Sequence, residues 1–210
     1  MKRSTPLIVA SAFLAGWLVW LAFFWEPDTA GYAGNGRPDA AARARALPGG
    51  DFTLDGPDGK LSLRDYRGQA VLLYFGYTFC PDVCPTSLAV IAEALRALRP
   101  EESARVRGIF ISVDPERDTP AVLKTYAPFF HPAITGATGT PEQIAEVARR
   151  YGVLYMKQKS VDGRPYTVDH SSMTYLVAPD GTLAAILPHE TPAPEIVAAL
   201  RKALAGPPAN

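Results

Sequence analysis

Two cysteines lie four residues apart in this 210-residue chain, which contains no others. Cys80 and Cys84 stand between an apolar run and an amphipathic segment, a strand-to-helix junction of the kind where open α/β sheets place ligands. Helix N-terminal amides favour a thiolate there. Residues four apart on a helical turn share one face, so both sulfurs could converge on a soft metal ion or join in a disulfide.

A plain stabilising disulfide, or a pair of buried free thiols, would explain the cysteines without any function. A disulfide across so short a loop recovers little chain entropy. Two thiolates select Cu(I), and an imidazole as third ligand would also accommodate Cu(II). Of the three histidines, His131 is interpreted as a loop residue beyond a helix, and His189 follows the last hairpin without an evident partner. His170 is the candidate third ligand.

The elements that position these residues follow from hydrophobic periodicity and turn residues. We predict a hairpin around 56–59, strands at 70–77, 106–113, 173–178 and 182–187, an extended segment at 153–159, and helices at 85–98, 120–130, 141–151 and 194–205. Strands separated by helices imply right-handed crossovers and a mixed sheet with helices on both faces. The predicted fold class is therefore α/β and thioredoxin-like. In such a fold the loop before the final hairpin, which carries His170, faces the cysteine helix.

The segment Leu7 to Trp25 carries no charge and is nearly long enough to cross a bilayer. Lys2 and Arg3 precede it, so the positive-inside rule places the N-terminus in the cytoplasm and the rest of the chain outside. We therefore predict a single transmembrane signal anchor over 1–26. A cleaved signal peptide is the alternative, although its apolar region would be shorter.

Residues 27–50 are rich in Gly, Ala, Pro and Arg without apolar periodicity, which predicts a flexible linker before a domain at 51–206. The chain has 21 basic and 21 acidic side chains, and this balance argues against nucleic-acid binding. Export to an oxidising compartment makes the redox state of the thiol pair important.

A polar loop follows the second buried strand and should border the cysteines. The carboxylates of this loop, Asp114 to Pro120, could orient a partner or tune the ligands from outside. Alternatively, the loop is a turn in which Thr119 caps the helix that begins at Pro120. Both interpretations stay open at this stage.

Three motifs in order make the chain resemble the Sco/SenC copper proteins of cytochrome c oxidase assembly. The resemblance spans about Asp51 to Leu204. The motifs are Gly-Tyr-Thr-Phe-Cys-Pro-Asp-Val-Cys-Pro at 76–85, Ser-Val-Asp-Pro-Glu-Arg-Asp-Thr-Pro at 112–120 and Val-Asp-His-Ser at 168–171. The resemblance implies that Cys80, Cys84 and His170 bind one copper ion, Cu(I) or Cu(II), per chain.

The implied function is that of a copper metallochaperone for the binuclear copper centre of the oxidase, rather than of an enzyme. The alternative is a membrane-anchored thiol–disulfide oxidoreductase in which Cys80 and Cys84 are the redox-active pair. Peroxidase activity lacks support, because no Thr-x-x-Cys precedes Cys80. Expected partners are the copper-bearing oxidase subunit, other copper chaperones and a thioredoxin-like reductant. The expected location is the bacterial inner membrane, with the domain on the periplasmic face.

Overall fold

The computed structural model describes residues 40–160 and 165–206, so the predicted anchor lies outside the described residues. A five-stranded mixed sheet forms the centre. Its strands are β3 (Ala70–Gly76), β4 (Val106–Ser112), β5 (Ile134–Ala137), β8 (Thr174–Val177) and β9 (Leu183–Leu187), in the order β5-β4-β3-β8-β9. The first three strands are mutually parallel, whereas β8 is antiparallel to β3 and β9. The predicted thioredoxin-like sheet is therefore confirmed.

Helices cover both faces of this sheet, as predicted. They are α1 (Ala40–Arg45), α2 (Val83–Arg96), α3 (Pro100–Ser103), α4 (Pro120–Phe130), α5 (Pro141–Tyr151) and α6 (Ala193–Ala205). Every residue of β3 is buried. On one face Tyr74 stacks on Phe110, whose ring also contacts Tyr126 of α4. On the other face Phe75 lies 6.0 Å, centroid to centroid, from Tyr151 of α5. Because the central strands are buried on both faces, each face of the sheet must be covered by helices.

Two helix starts follow directly from their Thr-Pro sequences. Thr119 Oγ accepts a hydrogen bond from the Val122 amide, and Thr140 Oγ accepts one from the Gln143 amide. Proline at the first helical position loses no hydrogen bond, because that amide would have no partner in the helix. Helices α4 and α5 accordingly have the predicted bounds.

Four short strands form two ribbons beside the central sheet. The predicted hairpin is β1 (Thr53–Gly56) paired with β2 (Gly59–Ser62), followed by a 3-10 turn at Leu63–Tyr66. The second ribbon pairs β6 (Tyr155–Lys157) with β7 (Val168–His170). The prediction contained neither β7 nor β5. Both have only three or four residues, and their pairing partners are distant in sequence, so local periodicity does not reveal them.

The packed structure begins earlier than residue 51. Helix α1 lies in the segment that we predicted to be a flexible linker, and Ala44 is fully buried. The Gly49 amide donates to the Arg150 carbonyl of α5 and fixes the end of this segment. The remainder of that linker, 27–39, lies outside the described residues. Among the described helices, none is long and apolar enough to cross a membrane.

Candidate metal centre

The two cysteines occupy different kinds of backbone. Strand β3 ends at Gly76 and α2 begins at Val83, so Cys84 is the second residue of the helix whereas Cys80 lies in the preceding loop. We had predicted a helix start at Pro85, and this boundary is two residues late. The first-turn amide of Cys84 donates to Cys80 Sγ at 3.3 Å. Such an amide stabilises negative charge on the sulfur.

His170 is the last residue of β7 and pairs with Tyr155 of β6, so it does not lie in a loop as we predicted. Its Nε2 lies 3.2 Å from Cys84 Sγ. Its Nδ1 lies 3.1 Å from the Ser171 carbonyl oxygen, which can only accept a hydrogen bond. Nδ1 therefore carries the proton, and the lone pair of Nε2 faces the sulfur, the tautomer that a metal-ligating histidine needs.

The three side chains meet in one cluster, as the sequence analysis predicted. The two sulfurs and a ring nitrogen of His170 all lie within 4.8 Å of one another. Within 40–160 and 165–206, this is the one group of three or more such side chains whose donor atoms converge in this way. Both cysteines are free thiols. Cys84 is fully enclosed, and Cys80 keeps 8% of its surface exposed.

Burial dominates the electrostatics of the cluster. It raises the pKa of the Cys84 thiol, because a charged sulfur loses its hydration there. It lowers the pKa of His170, a shift that the Ser171 carbonyl and the Asp169 carboxylate oppose. It also raises the pKa of Tyr74, whose ring meets that of His170 edge-on at 6.3 Å. The copper-free cluster is therefore uncharged at Cys84 and His170 near neutral pH.

The loop after β4 supports the cysteine loop through Asp118, a fully buried residue. Its carboxylate accepts hydrogen bonds from the Thr78 amide (2.9 Å), the Thr78 hydroxyl (2.5 Å) and the Ser112 hydroxyl (2.6 Å). Thr78 lies two residues before Cys80. The capping interpretation is confirmed, because Thr119 caps α4. Asp118 holds the segment that carries Cys80, and an effect of its carboxylate on a partner or on the ligands stays a prediction.

Arg117 has a structural role that the sequence analysis missed. Its guanidinium carbon lies 3.7 Å from the ring centroid of Tyr166, 4.8 Å from that of Phe79 and 5.6 Å from that of Tyr77. Asp114 binds the Arg117 Nε and also accepts from the Tyr166 hydroxyl. Because the rings come from two segments that are both distant from Arg117 in sequence, no local pattern could have indicated this cation–π cluster.

The two other histidines make contacts of their own. His131 Nδ1 accepts a hydrogen bond from the Ala133 amide at 3.1 Å within its own turn. His189, for which the sequence showed no partner, lies with Nδ1 3.1 Å from the Ser87 hydroxyl of α2. Neither belongs to the group of converging ligand atoms.

Comparison with known proteins identifies the family. The model of the SCO1/SenC family matches residues 40–205, which is most of the chain. The chain belongs to the SCO1/SenC family. Among curated relatives, it is 38% identical over 205 residues to the mouse mitochondrial SCO2 homolog, covering 96% of this chain and 79% of that protein. It is 41% identical over 167 residues to the bovine SCO2 homolog, covering 79% of this chain but only 63% of that longer protein.

Solved structures of family members agree with the fold. The copper-bound ScoI of Bradyrhizobium japonicum is 42% identical, with a TM-score of 0.66 over 73% of this chain and 98% of that one. BsSco is a Sco-family cytochrome c oxidase assembly protein whose structure identified a disulfide switch. Its sequence is 27% identical to this chain, and its structure matches with a TM-score of 0.60 over 77% of this chain and 95% of that one. Both proteins share the thioredoxin-like Sco fold with this chain.

Proposed function

We propose that this chain binds one copper ion through the sulfurs of Cys80 and Cys84 and Nε2 of His170. The convergence of these three atoms within 4.8 Å carries the proposal. Two thiolates suit Cu(I), and the added imidazole also suits Cu(II). The copper-bound ScoI structure of a 42% identical relative supports the choice of metal.

Two of the three ligands are positioned by a neighbouring backbone group. The Cys84 amide holds Cys80 Sγ, and the Ser171 carbonyl fixes the His170 tautomer. Because burial favours the protonated thiol at Cys84, that residue stays neutral until copper displaces its proton. The bound copper would supply the charge that makes a buried thiolate stable.

The copper is cargo in this proposal. The chain would deliver it to the copper-bearing subunit of cytochrome c oxidase and so assist maturation of the binuclear copper centre. Support comes from the family, in which BsSco is described as an oxidase assembly protein. Other copper chaperones would load the site, and a thioredoxin-like reductant would keep its thiols reduced in an oxidising compartment.

A second candidate function is thiol–disulfide exchange with the same partner. It is favoured by the small exposed surface of Cys80, 8%, beside a fully enclosed Cys84. The Cys80 thiolate would attack a partner disulfide and release one partner thiolate. Cys84 would then attack the Cys80 sulfur, leaving a Cys80–Cys84 disulfide and a reduced partner dithiol. This reaction needs no histidine, which provides the means to separate the two functions.

The uncharged segment Leu7 to Trp25 would tether the chain to the bacterial inner membrane, with the N-terminus in the cytoplasm and the domain on the periplasmic face. The mature protein should fractionate with membranes and resist carbonate extraction, and its C-terminal domain should be digestible from outside. Recovery of a soluble protein that begins near Gly34 would contradict the anchor.

The decisive experiment is titration of the reduced chain with Cu(I) and with Cu(II), together with metal analysis. One copper should bind per chain, and the Cu(II) form should show an intense sulfur-to-copper charge-transfer band. Cys80→Ser or Cys84→Ser should abolish binding, and His170→Ala should lose the Cu(II) site. His131→Ala is the matched control. Unchanged Cu(II) binding by His170→Ala would refute the imidazole ligand.

Oxidation of the cysteine pair to a disulfide provides a second test of the copper site. Joining Cys80 to Cys84 removes both thiolates, so Cu(I) affinity should collapse on oxidation and return on reduction. An oxidised chain that still binds copper tightly would contradict the site. If thiol–disulfide exchange is the main function, His170→Ala should still reduce a disulfide substrate. The same variant should fail to deliver copper.

A further inference from the structure

The exposed large hydrophobic side chains of the described residues gather around the candidate metal centre. There are five of them: Phe79, Val122, Phe129, Leu154 and Met156. The first three line a groove that also includes Cys80, and the other two lie with His170 at a separate rim. Single exposed apolar residues are ordinary, whereas clustering beside a reactive site indicates an interaction surface.

The groove beside Cys80 has a volume of about 470 Å³. One wall is the outer face of α4, where Val122, Tyr126 and Phe129 follow a spacing of four and three residues. Thr78, Phe79 and Cys80 of the cysteine loop line the rest of the groove. No charged side chain is among the described residues that line it. Phe129 is 83% exposed, so the outermost side chain of this helix face is largely uncovered.

Two of the lining side chains, Phe79 and Tyr126, pack against neighbouring residues. The Arg117 guanidinium packs against Phe79, and Asp114 holds Arg117. Tyr126 packs between the rings of Phe110 and Phe130, at 5.3 and 5.4 Å between centroids. Side chains packed in this way lose less entropy when a ligand enters, so their apolar surface can contribute to binding.

We propose that this groove, formed by Phe79, Val122, Tyr126 and Phe129, binds the cysteine-bearing segment of the partner protein, which places a large apolar side chain there. The inference rests on the proposed function, in which a partner sulfur meets Cys80. Cys80 is the more exposed of the two cysteines and lies in the groove itself, so a sulfur that reaches it passes these apolar walls. An uncharged lining selects an aromatic or aliphatic residue close to the partner's cysteine.

A membrane surface fits the same features less well. A bilayer covering this face would also cover Cys80, the sulfur that a partner must reach. Interfacial insertion draws on apolar residues flanked by several basic side chains, and none of the described residues that line this groove is charged.

The test uses the full-length Cys84→Ser chain in detergent, so that Cys80 is the one thiol. The probes are acetyl-Gly-Phe-Gly-Cys-Gly-amide and the same peptide with Ser in place of Phe, each carrying thionitrobenzoate on its cysteine as a mixed disulfide. The Cys80 thiolate attacks the peptide sulfur. A Cys80–peptide disulfide forms, the bond to thionitrobenzoate breaks, and the coloured thiolate that leaves reports the rate.

We expect the Phe peptide to react about tenfold faster than the Ser peptide, from partial burial of its ring. Phe129→Ser should bring the two rates together. Leu154→Ser is the matched control, since it removes an equally exposed apolar side chain outside the groove and should keep the preference. Equal rates for both peptides in the Cys84→Ser chain, or loss of the preference in Leu154→Ser, would overturn the proposal.

Two further measurements distinguish other occupants. Loss of the preference in phosphatidylglycerol-containing vesicles would show that the bilayer covers the groove, and Phe129-dependent dimerisation in sedimentation would show that a second copy does. Either result would overturn the proposal. Copper stoichiometry separates its failure from that of the proposed function: Phe129→Ser with Cys84 retained should still bind one copper. If the unsubstituted chain bound no copper, the proposed function would be refuted. The peptide rates would still test whether the groove binds an apolar side chain.

Discussion

Removal of the Asp118 carboxylate tests whether the loop after β4 positions the cysteine loop. Asp118 accepts three hydrogen bonds and is fully buried. Asp118→Asn keeps its size, but the new amide group must face at least one of these donors. At least one charge-assisted hydrogen bond is then lost, and the free energy of unfolding should fall by about 2–3 kcal/mol. Asp118→Ala leaves all three donors without an acceptor and should cost about 3–5 kcal/mol.

Copper affinity gives the specific readout of this change. Thr78 lies two residues before Cys80, so a loosened Thr78 lets the Cys80 sulfur leave its position beside the Cys84 amide. Supporting residues of metal sites typically change metal affinity 10- to 100-fold. We expect Cu(I) affinity in Asp118→Asn to fall by about tenfold, measured by competition with a chelator. Urea unfolding of the same reduced, copper-free chain gives the stability change.

Thr119→Ala is the control from the same loop. It removes the cap of α4, should cost about 1 kcal/mol and should leave Cu(I) affinity unchanged. The reasoning is refuted if Asp118→Asn loses stability but keeps wild-type copper affinity. It is refuted equally if Thr119→Ala weakens copper binding as much as Asp118→Asn does, because general destabilisation would then explain both.

Three other predictions concern the thiols, the sheet and an ion pair. Limiting iodoacetamide near neutral pH should alkylate Cys80 before Cys84, because Cys84 is enclosed and burial raises the pKa of its thiol. Peptide mass spectrometry identifies the labelled cysteine, and equal labelling of the two would contradict the prediction. Gly76→Ala should cost about 1–3 kcal/mol and weaken Cu(I) binding, because its Cβ would lie 2.7 Å from Cys84 Sγ. Gly108→Ala, crowded at 3.0 Å by Ile134, should destabilise without affecting copper. Glu102→Gln should lower the melting temperature at neutral pH, because hydrogen bonds from Arg201 and Arg99 depress the pKa of the Glu102 carboxyl. That stabilisation is fully present above the ordinary glutamate pKa and is lost progressively as the pH falls toward the depressed pKa of the folded state. The two melting curves should therefore draw together as the pH falls below about 4, and a constant gap would refute this.

Local signals made part of this fold predictable. The Thr-Pro starts of α4 and α5 gave the bounds of both helices, because a cap and a first-position proline act within one turn. The turn around Asp180 and Gly181 was equally local, with Asp180 accepting from the Thr182 amide. The start of α2 was placed two residues late, since Pro85 was interpreted as the first helical residue although Val83 and Cys84 already belong to the helix.

Long-range pairing explains what the sequence did not reveal. Strand β5 contains Gly136, whose hydrogen side chain permits close contact with Leu123, and this packing depends on a partner 13 positions away. Strand β7 exists because it pairs with β6 across a long connection. The Arg117 cluster and the Ser87–His189 contact likewise join distant segments. Patterns of period two or 3.6 carry no information about such contacts.

The meeting of Cys84 with a histidine 86 residues later follows from sheet direction. Strands β3 and β4 are parallel, so the Thr78–Cys80 loop and the Asp118 loop leave the sheet at the same edge. Strand β8 is antiparallel to β3, with Thr174 opposite Tyr74, so the chain that enters β8 comes from that edge. His170 precedes this entry by four residues. A fully parallel sheet would place the start of β8 at the opposite edge, which is why the antiparallel hairpin is as necessary to the candidate centre as the cysteine motif.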